Sequence, residues 1–148
     1  MSAAATPNIS AAYAGDVSAQ TAWDALAQNP QAQLIDVRTQ PEWVFSGLPN
    51  LSSIQKKTIP VSWKLYPTME MNPQFVAQLQ ALLPDQSAPL YFLCKTGGRS
   101  TDAAIAMTAA GYTQCYNIES GFEGDRDQHG HRGTSNGWKA TSLPWEQA

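Results

Sequence analysis

The sequence predicts an α/β domain with a mainly parallel central sheet and helices on both faces. Three observations predict it. Short apolar runs that read as strands alternate with segments of helical periodicity through most of the chain. The run Gln33-Leu34-Ile35-Asp36-Val37 is almost continuously apolar, as a strand buried on both faces is. A cysteine- and glycine-bearing loop follows another such run, and ligands bind beyond the carboxyl ends of strands in sheets of this kind.

The elements follow in order. Residues 1–9 read as a flexible tail, leaving 10–148 as one domain. Ser18 is placed to cap a helix whose Ala19, Ala22, Trp23 and Leu26 share one face, and Asn29-Pro30 ends it. The strand over 33–37 comes next. Pro41 suits the first position of a short helix over 42–45, which Gly47 closes. Residues 47–58 read as a polar loop, and 57–61 as a strand stopped at Pro60. Asn72 and Pro73 form a cap and first-turn pair for a helix whose stripe is Phe75, Val76, Leu79, Leu82 and Leu83, ended by Pro84. A strand over 89–93 feeds the cysteine loop. A helix over 100–110 follows, with Gly111 at its C-terminal cap, then a strand over 114–118. Residues 119–137, rich in Gly, Asp and His, read as loop with one short helix.

The bulk numbers set the frame. A chain of 148 residues, 43% hydrophobic and 14% charged, is long enough for one packed core and is not a disordered composition. A net charge of −3 disfavours a nucleic-acid surface. No apolar run approaches membrane-spanning length, and Met1–Pro7 lacks the basic start and apolar centre of a secretory signal. The expectation is a cytoplasmic monomer with no membrane or nucleic-acid partner. Two cysteines, Cys94 and Cys115, are too few for a disulfide framework. No Cys or His stands at ligand spacing from Cys94, so no metal site is expected there.

The chemistry concentrates in Tyr91-Phe92-Leu93-Cys94-Lys95-Thr96-Gly97-Gly98-Arg99-Ser100. A strand delivers Cys94, and a helix starts just after it. A helix N-terminus and adjacent cations favour a thiolate, and Lys95 and Arg99 are those cations. Gly97 and Gly98 allow successive N–H groups to turn inward as an anion-binding concavity, with Ser100 as the helix cap. Four residues separate Cys94 from Arg99. Cysteine-dependent phosphatases place five there and hold a tetrahedral phosphate. The shorter ring suits one terminal sulfur, so spacing favours sulfur over phosphate.

These motifs together resemble the single-domain rhodanese (thiosulfate sulfurtransferase-like) family. The resemblance rests on Leu34-Ile35-Asp36-Val37-Arg38 followed by Glu42-Trp43, on Ile59-Pro60, and on Cys94 to Ser100. It also rests on Ala109-Ala110-Gly111-Tyr112, Ser120-Gly121-Phe122, Gly137-Trp138 and Leu143-Pro144. It covers about residues 10–146. It implies that the Cys94 thiolate takes the outer sulfur of a donor such as thiosulfate, releases sulfite, and passes the sulfur from a persulfide to cyanide, a thiol or a protein cysteine. Lys95, Thr96, Gly97, Gly98, Arg99 and Ser100 would bind the donor, with N–H groups of 95–99 and the helix dipole (about 0.5–2 kcal/mol) stabilising the persulfide anion. No metal or organic cofactor is implied. The polar run 123–136, which holds His129 and His131, is long for a minimal member of that family.

The other candidates carry structural readings. Arg38 is expected to pair with Glu42, and Asp36 to accept loop N–H groups near the site, as supporting residues. Cys115, within a strand, reads as a buried thiol. Trp43 and Trp63 could wall the pocket, although core packing is the default. His129 and His131 read as solvated loop histidines. Two other functions share the loop: a non-catalytic sulfur carrier or partner-docking module, and, less well matched, a cysteine-dependent phosphatase or arsenate reductase. Thiosulfate, mercaptopyruvate and a protein persulfide all remain open as donors, with two loop cations favouring a small anion.

Overall fold

The structure, a computed structural model, describes residues 12–147. The tail expected over 1–9 lies outside the described residues. In chain order the elements are β1 (Gly15–Val17), α1 (Ala19–Gln28), β2 (Gln33–Asp36), α2 (Gln40–Phe45), β3 (Leu48–Pro49) and β4 (Ile59–Pro60). There follow β5 (Lys64–Leu65), β6 (Glu70–Met71), α3 (Phe75–Leu82), β7 (Leu90–Leu93), α4 (Gly98–Ala109), β8 (Cys115–Ile118), α5 (Gly137–Ala140) and β9 (Trp145–Glu146). Five strands form one sheet in the order β1-β8-β7-β2-β4, with every neighbouring pair parallel. The expected fold class is the observed one.

Alternation along the central strands divides the core. Leu90 and Phe92 face one layer with Ile35, Phe75, Leu79 and Met107. Tyr91 and Leu93 face the other with Leu34, Ala22, Leu26, Phe122 and Trp138. Helices α3 and α4 thus cover one face, and α1 and α5 the opposite one. Both faces being dry explains why these strands carry no polar alternation.

Local chemistry sets the helix ends. Ser18 Oγ accepts the Thr21 N–H and caps α1, and Asn29 is its C-cap, as expected. Lys56 Nζ donates to Asn29 O and Ala32 O, closing the exit of α1. Helix α3 begins at Phe75, and Asn72 does not cap it. The Asn72 side chain instead accepts from Gln74 N and donates to Ser62 O and Gln78 Oε1, bracketing the turn. The α3 stripe is also narrower than expected: Phe75 and Leu79 are buried, but Leu82 is 57% exposed. Helix α4 starts at Gly98, two residues before the expected position, and Gly111 follows its end at φ +107°. The two-residue pairs β3–β9 and β5–β6 were not expected, because such short ladders carry no apolar run to mark them.

The strand order turns at one place. From β2 the chain moves outward to β4, then returns through α3 to β7 on the other side of β2. The carboxyl ends of β2 and β7 therefore open side by side at a topological switch point. Their register continues past the strands: Val37 N donates to Leu93 O at 2.8 Å. No described helix is long and apolar enough to cross a membrane.

At the carboxyl end of β2 lies a fully buried ion pair. Arg38 Nη2 stands 2.6 Å from Asp36 Oδ2, and both side chains are 0% exposed. Arg38 Nε also reaches Asp36, and Nη2 donates to Gly47 O at 2.7 Å. The expected Arg38–Glu42 pair does not form. Arg38 precedes the Thr39 N-cap of α2, so it lies outside the helical spacing that would bring it to Glu42. Asp36 accepts from the Arg38 backbone N–H and guanidinium, not from the cysteine loop. Removing one member strands a buried charge, so Arg38→Met is expected to cost about 3–5 kcal/mol in urea denaturation.

Candidate active site

Cys94 is the first residue beyond β7 and Gly97 is the N-cap of α4, so a four-residue span joins strand to helix. Gly97 has φ +114°, which turns its N–H back onto the sulfur at 3.0 Å. Gly98 is different. It has no positive φ, and a Cβ there would meet nothing within 4 Å. Of the two loop glycines, Gly97 is required by the turn and Gly98 leaves open space before the helix. The N–H groups of Gly98, Arg99 and Ser100 head α4, where a helix has no internal partners for its donors.

Ser100 is not the cap. It sits in the first turn, fully buried, with its Oγ 3.1 Å from Cys94 Sγ and 2.5 Å from Asn117 Oδ1. Asn117 lies on β8 and was not singled out by sequence reasoning. No local signal marks it, because it reaches the site only through the β7–β8 pairing. Cys94 itself is 1% exposed, with one side against the apolar layer under α4.

Arg99 turns toward α2. Its Nη1 and Nη2 bind Glu42 Oε1 and Oε2 at 2.8 and 2.9 Å. Glu42 Oε1 also accepts the Thr39 N–H and hydroxyl in a capping box. Burial pushes the Glu42 carboxyl up, but the Arg99 guanidinium and the Thr39 donors outweigh it and hold it down at about 2. The bidentate pair raises Arg99 further above its usual range. Lys95, by contrast, makes no ion pair among the described residues. The Thr96 side chain is exposed.

The segment after β8 holds the loop from below. Phe122 N donates to Cys94 O at 2.7 Å, and Glu123 N and Gly124 N donate to Lys95 O. Gly121 makes this approach possible: at φ +61°, a Cβ there would lie 2.4 Å from Cys94 O. The Phe122 ring also carries the Arg38 guanidinium at 4.3 Å, which connects the buried pair to the same segment.

This arrangement has relatives. A family model for the STR4 middle domain matches residues 14–148. The chain belongs to the STR4 middle-domain family. It is 37% identical over 132 residues to the uncharacterized protein RC0915 of Rickettsia conorii, covering 88% of this chain and 96% of that one. Over the same length it is 34% identical to the chloroplastic protein THYLAKOID RHODANESE-LIKE of Oryza sativa subsp. indica, and spans 25% of that longer protein. The crystal structure of Rv0390 from M. tuberculosis matches with a TM-score of 0.85 at 44% identity, covering 92% of this chain and 99% of that one. The polysulfide-sulfur transferase homodimer of Wolinella succinogenes shares the fold, with a TM-score of 0.64 at 24% identity over 93% and 83% of the two chains. The domain is therefore rhodanese-like, and the family the comparisons show for it is the STR4 middle domain.

The remaining candidates of this STR4-type domain make no hydrogen bond to the Cys94 sulfur among the described residues. Cys115 is a free, buried thiol pushed up to about 11 by burial. Trp63 packs edge-on against Phe75. Trp43 lines a cleft of about 570 Å³ with Pro60, Val61, Ser62, Leu65 and Asn72, and no residue of the cysteine loop lines it. His129 and His131 are exposed, and among the described residues no three His, Cys, Asp or Glu side chains gather at ligand distance. The 123–136 run is closed by Asp127, which accepts from His129 N, His131 N and Thr134 Oγ1.

Two outcomes follow for the loop. Gly121→Ala is expected to lose about 1–3 kcal/mol in thermal unfolding and to slow modification of Cys94, because its methyl displaces the Cys94 carbonyl. Glu42→Gln is expected to cost about 1–2 kcal/mol near neutral pH. Because the folded carboxyl titrates below its unfolded range, the pair stabilises fully above about pH 5, and that stability falls away as pH drops toward 2. Urea midpoints of the wild type and Glu42→Gln, compared across that window, should converge.

Proposed function

We propose that the chain is a sulfurtransferase in which Cys94 carries a sulfane sulfur as a persulfide. The observation that carries this reading is one sulfur at the head of α4, held by the Gly97 N–H at 3.0 Å in a ring of four intervening residues. The Cys94 thiolate attacks the outer sulfur of thiosulfate. A new S–S bond forms, the old one breaks, and sulfite leaves with the bonding pair. The terminal persulfide sulfur then faces the free N–H groups of Gly98, Arg99 and Ser100 and the positive end of α4. A nucleophilic acceptor such as cyanide or a thiol attacks that sulfur and returns Cys94 as thiolate.

Lys95 supplies the open positive charge for an anionic donor, while Arg99 fixes the loop to α2 through Glu42. That division supports a second reading. With one of two loop cations engaged by Glu42, a dianionic small donor meets less charge than the sequence suggests. A protein-borne persulfide, handed on to a protein cysteine, needs less.

Thiosulfate treatment should add one sulfur atom to Cys94 in intact-protein mass spectra, and Cys94→Ala should show none. Wild-type protein that accepts sulfur from no donor would rule out both readings. Loading with fast thiocyanate formation supports the first reading. Loading with discharge only to a protein thiol supports the second. Lys95→Ala is expected to raise the KM for thiosulfate about tenfold with little change in kcat, since it removes binding rather than chemistry.

A further inference from the structure

A line of hydrogen bonds leads from Cys94 to the edge of the sheet. Ser100 Oγ lies 3.1 Å from the sulfur and 2.5 Å from Asn117 Oδ1. Asn117 Nδ2 donates to Asp16 Oδ1 at 3.0 Å, and the Tyr13 hydroxyl donates to the same oxygen at 2.8 Å. A carboxylate only accepts, so Asp16 decides which end of the Asn117 amide faces it. The amide oxygen is thereby turned toward Ser100. Asn117 is 4% exposed, and water does not compete for this bond.

The serine hydroxyl has one proton and three acceptors within reach: Asn117 Oδ1, Cys94 Sγ, and Gly97 O at 3.2 Å. The two oxygens keep the same strength throughout a reaction. The sulfur does not. As a thiol it donates its own proton to Ser100 Oγ, and Ser100 donates onward to Asn117. As a thiolate it is the strongest acceptor of the three, and the hydroxyl turns to it in a charge-assisted bond. With a second sulfur attached, Sγ is neutral and the charge sits on the outer atom, so the hydroxyl returns to Asn117.

Resting on the reading of Cys94 as the sulfur-carrying nucleophile, we propose that Asn117 is a positioning residue for it. Asn117 holds the Ser100 proton in the thiol and persulfide states and releases it in the thiolate state. The proton stays on Ser100 throughout. The only proton lost is that of the thiol, and it goes to solvent. Asp16 and Tyr13 serve the same end by keeping the amide from rotating.

The other charged groups around this sulfur are Lys95 and Arg99 of its own loop, Glu42 of α2 bound to Arg99, and Asp36 with Arg38 beyond β2. All of them stay in place in the variants that test the idea. The readout is the rate of Cys94 alkylation by iodoacetamide against pH, followed by peptide mass spectrometry. In Asn117→Leu the hydroxyl loses its competing acceptor, and the acid limb of the profile should move down by about half to one pH unit. The exchanged pair Asp16→Asn/Asn117→Asp keeps a polar bond between the two positions and gives Ser100 a stronger acceptor, so its limb should move up. In a Ser100→Ala background, Asn117→Leu should no longer move the limb. A limb fixed at the wild-type position in both Asn117 variants, or an Asn117→Leu shift that persists without Ser100, would overturn the proposal. Alkylation needs no sulfur donor, so this result stands whether or not thiosulfate loads Cys94.

Discussion

A cysteine loop four residues long has almost no means of holding itself. Between β7 and α4 its one internal bond to the sulfur is the Gly97 N–H. The first turn of α4 adds Ser100 on the sulfur and Thr101 on the Gly97 carbonyl, and further restraints come from neighbouring segments at the same end of the sheet. Glu42 after β2 clamps Arg99, Phe122 after β8 takes the Cys94 carbonyl, and Asn117 at the end of β8 takes Ser100. The parallel order β8-β7-β2 is what brings those three residues together, since parallel strands all end at one edge. The surroundings of Cys94 are set by topology, and the loop contributes the sulfur.

The clamps are themselves anchored. Glu42 is aimed by the Thr39 donors that cap α2, so the residue that starts the helix also orients the carboxylate that holds Arg99. Phe122 lies under the Arg38 guanidinium, and Arg38 is fixed by Asp36 and the Gly47 carbonyl. A buried ion pair is weak evidence for stability, because desolvation offsets its attraction. Its value here is positional. It joins the exit of β2 to the turn after α2 and to the segment beneath Cys94, and a pair of apolar side chains would specify none of those three contacts.

What was legible in the sequence was local. The strand–loop–helix signal around Cys94 and the apolar runs of β2 and β7 depend on adjacent residues, and they placed the fold class and the strand–loop–helix setting of Cys94. The errors were of partner choice. Arg38 and Glu42 stand four apart, a spacing that pairs side chains only inside a helix, and the helix begins between them. Arg99 finds Glu42 across 57 positions of sequence, and Asn117 finds Ser100 across 17, through strand pairing that no spacing rule encodes. Gly97 and Gly98 look alike in the sequence, and only the φ angle separates the required one from the open one.

The two cysteines make the same point in chemical terms. Both are buried, both are free, and both lie in the same apolar layer. They occupy opposite ends of neighbouring parallel strands. Cys115 opens β8, against Leu90 at the start of β7, while Cys94 follows the last residue of β7. At the amino end, Cys115 meets burial and the Tyr112 carbonyl, and burial pushes its thiol up to about 11. At the carboxyl end, Cys94 meets the donors of α4, the Gly97 N–H and the Ser100 hydroxyl. Burial alone disfavours a thiolate. The difference between the surroundings of the two thiols is therefore which end of a strand the residue occupies, because, of the two, only Cys94 lies at the start of a helix.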